Sequence, residues 1–174
     1  MFDDALYQIE MTRLLAEAAE ALRRRDPGAV VYTISIWTDP NAAVSAVSFD
    51  TAENSAMKAR KAEEWAARHH ARLLAAGDHA RAQLFAPRPG ARNGNPADFA
   101  FRNLAEVEHH SFERGWETNT AGACWDVLEP ALLEVRDRAP AVFATLRLHR
   151  DAQLGVNSRR DWFDGVVGID SPTS

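Results

Sequence analysis

The sequence predicts an α+β fold, in which a small and mainly antiparallel sheet is covered by helices. The first observation is the stretch 30–50, VVYTISIWTDPNAAVSAVSFD, where two β-rich segments flank a turn. Tyr32, Ile34 and Ile36 alternate with a second set of side chains, which is the two-residue period of a strand. Asp39-Pro40-Asn41 has the residue types of a tight turn. The second observation is that most of the remaining chain has helical patterns, so residues 30–49 are predicted to form a hairpin at the centre of the sheet.

A first helix is predicted over residues 3–25, because the chain there is rich in helix-forming residues and ends at Asp26-Pro27-Gly28. Its apolar face is predicted to contain Leu6, Ile9, Leu15, Ala18 and Leu22. Glu10, Glu17 and Glu20 are predicted to face solvent.

The elements after the hairpin follow from local periodicity and from Pro and Gly positions. They are predicted as a long helix over 51–76, a short helix over 79–85, a mobile loop near 87–97, a strand at 99–104, a helix from about 118 to 138, a strand at 141–149 and a short helix over 156–163. With 174 residues, the whole chain is predicted to form one domain, 1–174.

The bulk composition excludes several classes of protein. The net charge of −5 disfavours a general nucleic-acid-binding surface and favours a basic partner. The single cysteine, Cys124, excludes an intrachain disulfide framework. No apolar segment approaches the roughly 18 residues that would span a bilayer, and the acidic start does not resemble a signal peptide. We therefore expect a cytoplasmic protein with no membrane and no nucleic-acid partner.

The densest set of potential metal ligands lies in the segment EVEHHSFE, residues 106–113. If this segment is helical, Glu106, His110 and Glu113 share one face and form a carboxylate-and-imidazole set. If it is a strand, that geometry is lost. Because the spacing matches no specific metal motif, we expect a solvated face, no metal and no cofactor; an enzyme centred on these three residues stays open as the alternative.

No other pattern indicates catalysis. Cys124 lies in the apolar context AGACWDVL, which favours a buried structural thiol over a nucleophile. The glycines are isolated, so no phosphate-binding loop is predicted, and there is no nucleophile elbow. We expect no catalytic residues.

Trp116 has acidic residues close on both sides, Glu113 and Glu117. An aromatic side chain surrounded by carboxylates suits the binding of a basic protein, although a tryptophan that closes the edge of the core is the commoner case. The residues predicted to bind a partner are Glu106, Glu108, Glu113, Trp116 and Glu117.

The chain as a whole resembles a family of uncharacterised small bacterial proteins. The hairpin carries the resemblance, as an aromatic-led strand that ends in Thr-Asp and is followed by a second strand and the start of a helix; its residues are Tyr32, Trp37, Thr38, Asp39, Glu53 and Asn54. Members of that family occur beside polymorphic toxins, including contact-dependent growth inhibition systems, as candidate immunity proteins. The resemblance implies a protein that binds and neutralises a cognate toxin domain, such as a nuclease, without catalysis. A housekeeping protein-interaction module is a further alternative.

Overall fold

The computed structural model describes residues 2–86 and 92–169, and it confirms the α+β class. The elements are α1 (Asp4–Arg25), β1 (Val31–Asp39), β2 (Val44–Thr51), α2 (Ala52–Ala75), α3 (His79–Leu84), a 3-10 turn (Pro96–Asp98), β3 (Phe101–Glu108), α4 (Trp116–Asn119), α5 (Trp125–Phe143), β4 (Leu148–Val156) and β5 (Asp164–Gly168). Of the predicted mobile loop, residues 87–91 lie outside the described part of the chain.

The chain divides into two compact units, Met1–Ala52 with Asn95–Ser174, and Glu53–Gly94. The second unit consists mainly of α2 and α3. Within it, the His70 ring donates from Nδ1 to the carbonyl oxygen of Ala82 at 2.7 Å, and the Trp65 indole stacks on His69. Among the described helices, α2 included, none is both long and apolar enough to cross a membrane.

The sheet lies in the first unit and has the strand order β3-β2-β1-β4-β5. All neighbouring pairs are antiparallel except β1 and β4, which are parallel. The predicted hairpin is confirmed as β1 and β2, and β1 is the central strand. One face of the hairpin presents Ile34, Ile36, Val47 and Phe49, all fully buried, to the helices α1 and α5. Burial of each such side chain contributes about 1.5–3 kcal/mol.

The buried face of α1 is rotated from the predicted one. The predicted helix is confirmed, but Ile9 is 64% exposed, while Glu10 is 2% exposed and was wrongly predicted to face solvent. The buried positions recur three and four residues apart around Tyr7, Met11 and Leu14, a spacing that places Glu10 on the same face. Glu10 remains there because donors from the β3 end of the sheet meet its carboxylate.

The predicted strand at 141–149 is wrong over residues 141–147. The buried residues Leu128, Leu132, Val135, Ala139 and Phe143 continue the helical spacing of α5 to its end, and the Phe143 ring packs edge-on against Phe49 at 5.5 Å. The chain then enters β4 at Leu148, seven residues later than predicted. The strong β-propensity of this stretch is overridden by its contact with the core.

The boundaries of other predicted elements also change, and one further element is wrong. The strand predicted at 99–104 is β3, which continues to Glu108. The helix predicted from 118 begins at Trp125, after the separate short α4. The helix predicted over 156–163 is wrong: Val156 ends β4, opposite Ile36, and the chain then turns into β5.

Gly155 allows this last turn to close over the sheet. Gly155 lies opposite Ser35 in the parallel β1–β4 pair. The Phe163 ring covers it so closely that a Cβ added at Gly155 would lie 2.5 Å from a ring carbon. Phe163 also packs against Phe99 with 6.2 Å between ring centroids. Because Gly155 has no side chain, the Phe163 ring packs directly on the strand, and this contact fixes the position of the turn that carries Trp162 and Phe163.

We expect Gly155→Ala to lower the free energy of unfolding by about 1–3 kcal/mol, because the new methyl group overlaps the Phe163 ring. Denaturant unfolding measures this. Gly168→Ala is the matched control, since Gly168 also lies in a strand and a Cβ there meets no atom within 4 Å. Combining Gly155→Ala with Phe163→Leu should recover part of the loss. Equal losses in the two single alanine variants would contradict the account.

Candidate functional site

The acidic residues of β3 lie on the exposed face of an edge strand. Glu106 pairs in register with Ala46 of β2, and Glu108 with Val44. Both carboxylates are exposed, while Val107 between them is directed to the opposite face, as the two-residue period of a strand requires. Glu108 also forms an exposed ion pair with Arg114, at 2.8 Å. Glu113 is exposed five residues further on.

The metal set of the alternative hypothesis is not assembled. Glu106 lies in a strand, and His110 and Glu113 follow in the turn, so the helical spacing that would unite them does not occur. Throughout residues 2–86 and 92–169, no group of three or more His, Cys, Asp or Glu side chains could hold a metal ion. The exposed positions of Glu106, His110 and Glu113 match a solvated surface.

Trp116 and Glu117 are held by contacts within the chain. The Trp116 indole stacks on the Phe2 ring at 5.1 Å and contacts the Phe112 ring at 5.0 Å, which leaves it half-buried. Glu117 accepts hydrogen bonds from the Trp125 indole N–H at 2.8 Å and from the Asn41 amide at 3.0 Å. The five predicted residues thus divide into an exposed group, Glu106, Glu108 and Glu113, and a braced pair.

The Glu10 carboxylate, which was predicted to face solvent, is buried and accepts three hydrogen bonds. Its Oε2 accepts from the His109 ring at 2.7 Å and from the Ser111 hydroxyl at 2.8 Å. Its Oε1 accepts from the backbone N–H of His110 at 2.9 Å. A buried carboxylate would be strongly destabilising without partners, and these donors supply them.

A hydrogen-bonded chain leads from His109 through the sheet to α1. The other ring nitrogen of His109, Nε2, lies 2.6 Å from the Ser45 hydroxyl. Ser45 lies 2.5 Å from the Thr38 hydroxyl, which lies 2.9 Å from the Tyr7 hydroxyl. All of these side chains are at most 4% exposed. We call the set Glu10, His109, Ser45, Thr38 and Tyr7 the buried relay.

Counting donors assigns the protons of the buried relay. With His109 neutral, Nδ1–H donates to Glu10 and Nε2 accepts from Ser45, so the hydroxyls of Thr38 and Tyr7 can donate in turn along the chain. With His109 charged, both nitrogens donate, every hydroxyl reverses, and the Tyr7 hydrogen has no acceptor in the relay. The neutral ring with hydrogen on Nδ1 therefore satisfies all five groups.

Burial and hydrogen bonding shift the pKa values of His109 and Glu10 in the directions that favour a neutral ring and an ionised carboxylate. Burial lowers the pKa of His109, against the opposing effect of Glu10. Burial raises the pKa of Glu10, but hydrogen bonds from the His110 N–H, His109 and Ser111 outweigh it, so the pKa of Glu10 lies below its usual range. Burial raises the pKa of the Tyr7 hydroxyl, which stays protonated.

The order Ser45–His109–Glu10 is that of a serine–histidine–acid triad. In such a triad the imidazole takes the hydroxyl proton, and the carboxylate holds the ring in the required tautomer. Here Ser45 is fully buried on a strand and its oxygen is already in contact with Thr38, so the structure leaves no path for a substrate carbonyl to this hydroxyl. The arrangement connects α1, the hairpin and the end of β3.

Alternation along β3 is the sequence signal from which the burial of His109 could have been predicted. His109 follows Val107 by two residues, so strand alternation directs both to the helix-covered face and directs Glu106, Glu108 and His110 outward. The metal hypothesis used the exposed His110, whereas the buried His109 is the histidine that joins the hydrogen-bonded network. Cys124, by contrast, is buried as predicted, and burial raises the pKa of its thiol.

The relay predicts a loss of stability in acid. Because the folded pKa of His109 is depressed, the unfolded chain takes up the proton first, and stability falls as pH drops below the usual histidine value of 6.5. Glu10, also depressed, contributes stability above its usual 4.5 that is lost as pH falls further. Unfolding free energies measured from pH 8 to pH 4 should show the decline.

His109→Gln should flatten the upper part of that decline, while His110→Gln, at the exposed neighbouring position, should leave it unchanged. A pH profile that is the same in the chain and in His109→Gln would contradict the assignment of His109.

Ser45 should be unreactive toward a fluorophosphonate probe in the folded chain, because its hydroxyl is fully buried. Mass spectrometry of the intact protein measures the label. Ser45→Ala should lower the free energy of unfolding by about 1–3 kcal/mol, since Thr38 and His109 each lose a buried partner. Stoichiometric labelling that is lost in Ser45→Ala would instead establish a reachable nucleophile and favour a hydrolase.

Comparison with known proteins adds no family to these observations. No protein-family model matches the chain, and neither the curated proteins nor the solved structures yielded a similar protein. The function therefore has to be argued from the exposed edge, the clefts and the buried relay of this chain.

Proposed function

We propose that this chain is an immunity protein, which binds a basic toxin domain and neutralises it without catalysis of its own. The observation that carries the proposal is the acidic edge, which we define as β3 with the exposed carboxylates Glu106, Glu108 and Glu113. In a cell that carries the toxin, such an inhibitor would act in the cytoplasm.

The acidic edge offers backbone groups as well as charge. β3 pairs with β2 on one side, and no other strand in the described chain lies on its other side. An edge strand with unpaired N–H and C=O groups can accept a strand from another chain. Carboxylates along that edge repel a second copy of the same acidic chain and attract a basic segment, so they select for a partner of opposite charge.

The segment after β3 is held rigidly by the hairpin turn. The backbone N–H of Gly115 donates to the Asn41 carbonyl at 2.8 Å, and the Asn41 side chain accepts from the backbone N–H of Thr118 at 3.0 Å. The turn itself is closed by Asp39, whose carboxylate accepts from the backbone N–H of Asn41 and Ala42. The Thr-Asp-Pro-Asn turn therefore positions Glu113 relative to β3 before a partner arrives, which lowers the ordering cost of binding.

The net charge of the chain also favours a basic partner. A chain with a net charge of −5 gains association rate toward a basic domain, and that gain falls with ionic strength. Trp116 and Glu117 hold the segment that carries Glu113, through the aromatic contacts of Trp116 with Phe2 and Phe112 and the hydrogen bond from Trp125 to Glu117.

A hydrolytic enzyme is the second candidate, because the Ser45–His109–Glu10 order is that of a triad. It would require an opening of the core that exposes Ser45. The labelling experiment described above separates it from a pure binding protein.

The proposal is tested with the toxin domain encoded beside this chain's gene. Co-expression should restore growth, and calorimetry should show tight binding with one partner per chain. The triple variant Glu106→Lys, Glu108→Lys, Glu113→Lys should weaken binding by at least about tenfold, chiefly through faster dissociation and lost charge attraction.

The matched control is Glu17→Lys, Glu134→Lys, Asp164→Lys, which makes the same change in net charge at exposed positions on α1, α5 and β5. It should lower the association rate at low salt but preserve rescue of growth. Equal loss in both triple variants would remove the acidic edge from the interface. A neighbouring toxin that neither binds the chain nor is neutralised by it would overturn the proposal.

A further inference from the structure

A cleft of about 520 Å³ opens on the face of the sheet opposite α1 and α5, and it has no role in the proposed inhibition. Trp37 of β1 and Trp162 line it, together with residues 95–97, Arg102 and Asn103. Its volume lies within the range of sites for small molecules. We call it the tryptophan cleft.

Two indoles supply its apolar surface. Trp37 is half-buried on the central strand, and Trp162 is 65% exposed although the adjacent Phe163 is packed onto Gly155. Because the packing of Phe163 on Gly155 fixes this turn, the backbone that carries the exposed Trp162 indole has a defined position. Exposed indole surface beside a second indole favours stacking with a flat ring.

The polar end of the cleft contains the positively charged guanidinium of Arg102. The Arg102 guanidinium donates to the carbonyl of Ala97 at 3.3 Å and has no ion pair within the described residues. Among the described residues that line the cleft there is no Asp or Glu, although the Asp98 carboxylate accepts from the amide of Asn95, one of the lining residues. In a chain of net charge −5, an arginine in a concave site whose described lining includes no carboxylate favours an anionic group.

The backbone of Asn103 is held in an unusual conformation that directs its side chain here. Its φ is 43°, in the left-handed region, where the β2–β3 register shifts. The Trp37 indole N–H donates to its Oδ1 at 3.2 Å, and its backbone N–H donates to the Ser48 hydroxyl at 2.9 Å. Because the indole nitrogen can only donate, the atom facing it must be the oxygen, which leaves the amide Nδ2 to donate to a ligand.

We propose that the tryptophan cleft binds a small planar aromatic anion, with the ring against Trp37 and Trp162 and the negative group on Arg102. Asn103 donates from Nδ2 to an acceptor on the ligand. The anion can be a carboxylate attached to an aromatic ring or the phosphate of a nucleotide. The site shares the strand β3 with the acidic edge through Arg102 and Asn103, but none of the carboxylates of Glu106, Glu108 and Glu113 lines it.

Calorimetry on the full chain tests the proposal with two anions, indole-3-acetate and adenosine monophosphate, each beside its neutral analogue, indole-3-ethanol and adenosine. One anion or both should bind with a Kd below about 1 mM, and at least about tenfold more tightly than the neutral analogue. The anion that binds distinguishes the carboxylate from the nucleotide source. Neither anion binding at this level, or equal binding of anion and neutral analogue, would overturn the proposal.

Three variants assign the contacts. Arg102→Gln should remove the preference for the anion, whereas Arg160→Gln should keep it, since Arg160 is an exposed arginine that does not line this cleft. Trp162→Ala should weaken binding by about fivefold or more, through lost stacking, with an unchanged circular dichroism spectrum. Binding that survives both Arg102→Gln and Trp162→Ala would place the ligand elsewhere and overturn the assignment.

Discussion

The buried Glu10 carboxylate is the constraint on which the first unit depends. A carboxylate removed from water is costly, so this one determines where its donors must lie: the His109 ring, the Ser111 hydroxyl and the His110 N–H all meet it at hydrogen-bonding distance. Because those donors follow directly after β3, they fix α1 against the end of the edge strand. Through Ser45, Thr38 and Tyr7 the same network returns to the hairpin and to α1, so helix, hairpin and edge strand are joined by one set of satisfied polar groups.

The hairpin connects this buried chemistry with the surface. Thr38 belongs to the relay, while Asp39 closes the turn and Asn41 binds the backbone after β3. The Asn157 amide also holds Thr38, donating to its carbonyl and accepting from its N–H, each at 2.9 Å. The Thr-Asp-Pro-Asn sequence, which first indicated a family resemblance, therefore has a physical role as the brace between core and acidic edge. A protein that must present a fixed surface gains from such a brace, because less ordering remains to be done on binding.

The two faces of the sheet carry different chemistry. The face toward α1 and α5 is apolar apart from the relay, whereas the opposite face carries Ser35, Ser48 and the half-buried Trp37 on the hairpin. Ser35 is fully buried there with no hydrogen-bond partner for its hydroxyl among the described atoms. The register shift at Asn103 and the packing of Phe163 on Gly155, next to Trp162, both affect the tryptophan cleft. Irregularities of this kind commonly accompany binding sites, since regular strands do not aim side chains at one point.

Sequence by itself determined the α+β class, the first helix, the central hairpin and the turn that joins its strands, because each depends on short-range periodicity or turn chemistry. It left residues 106–113 open between helix and strand, so the alternation that exposes Glu106 and Glu108 is a finding of the structure. Tertiary structure decided the rest. Glu10 is buried because His109 and Ser111, about a hundred residues away, supply its donors, and no local pattern contains that information. Residues 141–143 are helical because Phe143 packs on Phe49, and the meeting of Trp37, Arg102 and Trp162 in one cleft depends on strand order, which only the packed chain defines.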